Sequence, residues 1–204
     1  MGRVQPHHRF LIQSILQHVD FLEGAIQQVQ QEIEARLAPF QESLLRLASV
    51  PVVGPLAATV ILSEIGTDME RFASDKHLAS WAGVCPGNKQ SGGKRLAGKS
   101  TKGNTALRVI LCELAQTIAR SQDSYLSAYY HRQVRRLGKK RAVIAVAHKL
   151  LVIIYHVLKT KKPYQELGAD YYDKLDTTRL QQHHVRRLEQ LGFTVTLAPK
   201  AGVA

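Results

Sequence analysis

The chain has 204 residues, 45% of them hydrophobic and 22% charged, enough for one ordinary domain with a helical extension and too apolar for disorder throughout. Lys and Arg number 28 against 16 Asp and Glu, a net charge of +12, which favours a polyanionic partner, nucleic acid above all. Cys85 and Cys112 form no CxxC or zinc-like spacing, which excludes a disulfide framework and a structural metal site. The first ten residues lack an apolar signal core. The longest apolar stretch, Ala142 to Leu158, is interrupted by His148, Lys149 and His156, so no membrane partner and a cytoplasmic location are expected.

From the N-terminus, apolar residues fall at Ile12, Ile15, Val19, Leu22, Ile26, Val29 and Ile33, alternating steps of three and four that form a coiled-coil seam. The seam pairs with another helix or protomer, or folds back on its own domain. Pro39 should end or kink the helix. Next, QESLLRLASVPVVGPLAATVILSEIG predicts a helix, a turn over Val50–Pro55 and a second helix. This has the look of a helix-hairpin-helix, whose backbone N–H groups around Gly54 suit a DNA phosphate. With Leu56, Val60, Ile61 and Ile65 as a core face, it serves equally as a packing hairpin.

SDKHLASWAG predicts a short helix capped by Ser74, with Leu78 and Trp81 inward. The stretch GVCPGNKQSGGKRLAGKSTKGN follows, holding Gly83, Gly87, Gly92, Gly93, Gly98 and Gly103 with Lys89, Lys94, Arg95, Lys99 and Lys102, and no acid. As a glycine-rich basic loop it suits a nucleic-acid backbone, and it also reads as a solvated flexible loop. Asn104 caps a helix to Ala119, a second ends at Gly138, and KKRAVIAVAHKLLVIIYHVLKTKKPY makes a third. Between Asp123 and Glu166 there is no acid, while Arg135, Arg136, Lys139 and Lys140 gather at helix ends. One more helix runs from about Asp173 to Leu191.

The expected architecture is therefore all-α. It comprises a coiled-coil dimerisation helix over 1–39, a helical DNA-binding domain with a helix-hairpin-helix and a glycine-rich basic loop over 40–165, and a C-terminal helix and tail over 166–204.

Chemistry narrows the choices. Gly93-Lys94 is followed by Arg95 and not by Ser or Thr, which rejects a nucleotide-binding P-loop. Tyr155 has the spacing of a core residue and no HxxR precedes it. The adjacent pairs His7-His8 and His183-His184 diverge on a helix and make poor metal sites. Acids able to hold magnesium are sparse in the basic half. Ser91 stands before Gly92-Gly93 among cations. By residue type alone it is an ordinary loop serine. As a nucleophile it would conserve phosphodiester energy in a phosphoserine, with no need of ATP.

In order, the coiled coil, VPVVGPLAATVILSEIG, RFASDKHLASWAGVCPG, SGGKRLAGKSTKGNTALRVIL and GKKRAVIAVAHKLLVIIYHVLK resemble the C-terminal part of transposases of the insertion-sequence family numbered one hundred and ten. These are the serine-DEDD transposases, some of which are bridge-RNA-guided recombinases. The resemblance covers approximately Phe40 to Tyr164. It implies that Ser91 is the nucleophile and that Gly92, Lys99, Lys102, Gly103, Asn104 and Arg108 shape or contact the DNA backbone. It further implies double-stranded DNA as partner, a guide (bridge) RNA, a homodimer or higher oligomer through the coiled coil, and magnesium held by the acids of an N-terminal RuvC-like domain. Two departures stand out. Val52 replaces the first glycine of a Pro-Gly-Ile-Gly-Pro hairpin, where a strained positive φ suits it poorly. The RuvC-like domain is missing from the sequence, so this chain alone is expected to carry no metal cofactor and not to complete transposition.

Overall fold

The computed structural model describes residues 5–91, 93–98, 101–175 and 177–197, with backbone alone for 87–91, 94–98, 179 and 180. The chain divides into two units, Met1–Leu45 and Arg46–Ala204. In the first, helix α1 spans Pro6–Leu37, starting on a proline whose missing N–H costs a helix nothing at that position. No residue of α1 is buried, and the seam residues Ile12, Ile15, Val19, Leu22, Ile26, Val29 and Ile33 are 42–62% exposed. Pro39 sits in a single 3-10 turn, Ala38–Phe40, that ends α1 before helix α2, Gln41–Ala48.

The second unit is built around α7, Lys139–Thr160, which packs on α4 (Asp75–Trp81), α5 (Thr105–Arg120) and α6 (Tyr125–Leu137). Its buried residues Ala142, Val146, Ala147, Leu150, Leu151, Ile154, Tyr155, Val157 and Leu158 recur at helical spacing and supply much of the core. By length and apolarity α7 would suffice to cross a membrane, and half of its most apolar window is buried inside this unit. Helix α3, Pro55–Ile65, packs on α5 through an inward face that includes Ala58, Ile61 and Ile65. Ser74 caps α4 through a bond from the His77 N–H, Asn104 caps α5, and Ser124 caps α6, each side-chain oxygen accepting a backbone N–H that the first turn leaves free. The later chain returns to α6. The Glu166 carboxylate accepts the Tyr125 N–H at 2.8 Å, and Tyr171 and Tyr172 of α8 (Tyr171–Leu175) pack their rings on Tyr125. Helix α9 covers Thr177–Gln190.

Two expectations need correction. The glycine-rich basic stretch is not a loop throughout. It forms an antiparallel hairpin of β1, Gly87–Ser91, and β2, Lys94–Gly98, in register from Gly87 opposite Gly98 to Ser91 opposite Lys94. Asn88 to Ser91 and Lys94 to Ala97 contain no strand breaker. Between them Gly93 takes φ +74°, a left-handed conformation that suits a hairpin turn. All other regular structure among the described residues is helical, so the all-α class holds. Trp81 is not inward. Leu78, Ala79 and Ala82 fill the inner face of two-turn α4, leaving Trp81 on its rim, 42% exposed, with its ring 5.8 Å from that of Phe72.

Candidate nucleic-acid interface

The residues that lead out of the hairpin are bonded to those that lead into it. Asn104 makes three tethers. Its backbone N–H donates to the Trp81 carbonyl at 3.1 Å, its Oδ1 accepts the Leu107 N–H at 2.9 Å, and its Nδ2 donates to a Glu64 carboxylate oxygen at 2.6 Å. One residue thereby joins the ends of α3, α4 and α5, its backbone reaching α4 and its side chain α3 and α5. The Thr101 hydroxyl donates to the Ser80 carbonyl at 3.2 Å, and Arg108 donates to the Thr101 carbonyl at 3.4 Å. Gly103, at φ +58°, lies so close to Ala82 and Gly83 that a Cβ would stand 2.5 Å from the Gly83 Cα and closer still to the Gly83 nitrogen. Gly83, at φ +72°, faces back with room for no Cβ against Thr101, Lys102 and Gly103. Backbone lies directly on backbone here, which only paired glycines permit.

A second tie reaches α7. Cys85, two residues before β1, has its Sγ 3.9 Å from Nδ1 of His148. Burial pushes the Cys85 thiol up, with Asp75 adding to the effect, and burial pulls the His148 imidazole down against Asp75. Both shifts favour the uncharged pair, a protonated thiol beside a neutral ring.

The expected DNA-facing residues fall into three places. Lys89 and Ser91 belong to β1, Lys94 and Arg95 to β2, and Gly93 to the turn between, so Ser91 occupies the last paired position before the tip. Lys102, Gly103, Asn104 and Arg108 form the base, Lys102 being exposed. Arg135 and Arg136 end α6 while Lys139 and Lys140 begin α7, meeting at Gly138 with φ +77°. Gly92 and Lys99 lie outside the described residues. Cations in the first turn of α7, with no acid among them, oppose its macrodipole, an arrangement that an incoming anion relieves. Along α7, Lys139 is about 13 Å from His148 at 1.5 Å per residue, so this elbow lies within a duplex width of the hairpin base.

Gly54 is the exposed N-cap of α3, with open space about it. Before it, the Val53 N–H donates to the Val50 carbonyl at 3.1 Å, closing a turn with Pro51 second and Val52 third. Val52 has φ +64°. A β-branched residue thus holds the left-handed position that this turn reserves for glycine.

Residues 44–131 match the family described as Transposase IS116/IS110/IS902. The chain belongs to this transposase family. It is 30% identical over 145 residues to the transposase for insertion sequence element IS1111A of Coxiella burnetii, covering 69% of this chain and 39% of that protein. It is 24% identical to a probable family 20 transposase of Pseudomonas aeruginosa, covering 76% of this chain and 46% of that one. To a pilin gene-inverting protein of Moraxella bovis it is 31% identical over 59% of this chain and 38% of the relative. The chain spans less than half the length of these relatives.

The stretch matched by the transposase family begins in α2 and ends in α6, enclosing the hairpin, its clamp and Glu64. The Arg135–Lys140 elbow lies beyond it. Among the described residues no three His, Cys, Asp or Glu side chains gather to hold a metal ion. Sequence reasoning missed Glu64, whose signal was a carboxylate in the last turn of a helix, where the macrodipole disfavours it unless a donor answers. It also missed the Cys85–His148 tie, made between residues 63 positions apart.

Proposed function

We propose that this chain is the DNA-binding, serine-bearing part of a DNA transposase, with Ser91 as its nucleophile. The observation that carries the reading is the family match over residues 44–131, which encloses a basic hairpin whose last strand position before the turn is Ser91. Relatives named as transposases, and one named for inverting a pilin gene, have DNA rearrangement in common. In the step proposed, the Ser91 oxygen bonds to a backbone phosphorus and its proton passes to a base or to water. The P–O bond to the neighbouring sugar breaks, and that sugar oxygen leaves as a hydroxyl after taking up a proton. The phosphodiester energy stays in the seryl ester, and reversal onto another strand completes exchange. Lys89, Lys94, Arg95, Lys99, Lys102 and Arg108 neutralise the transferred phosphate and its neighbours.

Under the same proposal the chain pairs with a second copy through α1, grips double-stranded DNA through the hairpin and the Arg135–Lys140 elbow, and works with a magnesium-binding RuvC-like domain and a guide RNA. The test is covalent trapping with labelled element-junction DNA, supplying a competent relative's acid-bearing domain, magnesium and RNA. A denaturant-resistant adduct formed by the wild type and absent from Ser91→Ala supports the reading. Equal adduct from both sinks the assignment of Ser91. DNA binding without any adduct, where the relative's own serine domain forms one, favours instead a catalytically inactive DNA-binding or regulatory remnant of a transposase.

A further inference from the structure

Trp81 is the sole tryptophan of the chain, and it stands 42% exposed on the rim of α4. One side of its ring is met by Phe72. Its carbonyl holds Asn104, and its neighbour Ser80 holds Thr101, on which Arg108 closes. Exposed His77 stands one turn before Trp81 on α4, and exposed Lys102 lies between the two tethered residues. The acid nearest in this bonded cluster, Glu64, is engaged by Asn104. Of the tyrosines on α6 and α8, Tyr125, Tyr129, Tyr171 and Tyr172 pack their rings on one another, stacked or edge to face, and Tyr130 meets the ring of His131. Trp81 is thus an accessible indole bordered by cations at the root of the basic hairpin.

We propose that Trp81, backed by Phe72, is a stacking station for one unpaired base of bound DNA, with Lys102 and Arg108 holding the flanking phosphates. The inference rests on the DNA-binding reading above and adds to it a preference for junctions where a base is free. A large π-face bordered by cations matches a base with its two phosphates, whereas a base inside a continuous duplex has no free face to offer. With a single station, the surface marks one position and does not track a strand.

Because Trp81 is the only tryptophan, its fluorescence reports on this site alone. The experiment titrates the chain with a duplex containing a short single-stranded gap and with the same duplex intact. Gapped DNA is expected to quench the emission and intact duplex to leave it nearly unchanged. Trp81→Ala should weaken binding to gapped DNA about tenfold at every salt concentration without altering the salt slope, which counts phosphates and not stacked bases. Trp81→Phe should recover most of the loss, and a melt of each variant shows that it is folded. Lys102→Ala and Arg108→Ala should instead lower the slope. Equal affinity of Trp81→Ala and wild type for gapped DNA overturns the proposal, as does equal quenching by intact duplex. Both results leave the DNA-binding reading standing, whereas failure of the wild type to bind either DNA overturns both.

Discussion

Replacing Gly103 by alanine tests the claim that the hairpin is fixed at its base by direct backbone contact. Two costs add. At φ +58° an L side chain pays for a left-handed backbone, about 1–2 kcal/mol. The new Cβ, 2.5 Å from the Gly83 Cα, must move by about 1 Å to reach the 3.4 Å of ordinary contact. The neighbours are backbone and Gly83 is buried, so that shift resembles overpacking in a core, about 1–3 kcal/mol. The sum, roughly 2–5 kcal/mol, should lower the melting temperature of the Arg46–Ala204 unit by about 4 °C or more. Trp81, whose carbonyl is tethered to Asn104, provides the fluorescence signal for denaturant unfolding. Two alanine variants calibrate the result. Gly93→Ala, at φ +74° with nothing within 4 Å, should cost only the conformational part, about 1–2 kcal/mol. Gly54→Ala, at φ −76° in open space, should cost about 1 kcal/mol or less, for the weaker N-cap. If Gly103→Ala unfolds within about 1 kcal/mol of wild type, the close packing of Gly83 on Gly103 is refuted. Gly103 is then left with no duty but contact with DNA.

Val52→Gly should stabilise the chain in a melt, because relieving a left-handed β-branched residue gains about 1–3 kcal/mol against about 0.5–1 kcal/mol of added chain entropy. Asn104→Asp keeps a capping oxygen but sets one carboxylate against another at Glu64, and should lose about 1–3 kcal/mol, most of it restored by adding Glu64→Gln, whose amide can donate. His148, held below its usual pKa of 6.5 by burial, takes up its proton more readily unfolded than folded. Stability is therefore full above pH 6.5 and falls as the pH drops below it toward the folded value, a decline that His148→Leu should flatten in melts across that range. Val19→Asp with Ile26→Asp should turn a sedimenting dimer into a monomer, whereas a wild type that already sediments as a monomer refutes pairing through α1.

Helices were legible in the sequence wherever one residue carries the signal. Ser74 and Asn104 accept the capping N–H groups that their positions foretell, and Gly138 separates α6 from α7 with the positive φ expected of a glycine between helices. The hairpin was not legible, since its composition spoke for a loop. Gly83, Gly87, Gly92, Gly93, Gly98 and Gly103 look alike as letters, yet Gly83 and Gly103 meet backbone to backbone while Gly93 forms a turn in open space. Trp81 went wrong for a geometric reason. On a helix of two turns the inward face is complete with Leu78, Ala79 and Ala82, so a rim position three residues after Leu78 offers a large ring no place inside.

The same distinction orders the candidate site. Gly92, Lys99, Lys102, Gly103, Asn104 and Arg108 share one motif, and the resemblance gives them one kind of duty, at the DNA. The geometry divides those it describes. Asn104 spends its donors and its side-chain acceptor on Trp81, Glu64 and Leu107, and Gly103 is placed against Gly83. Exposed Lys102 has its charge to offer a phosphate, and Arg108 shares its guanidinium with Thr101 through one long bond. Variants at Gly103 and Asn104 should therefore lose stability whether or not DNA is present. A Lys102 variant should melt as wild type does and lose affinity in proportion to the phosphate it no longer neutralises.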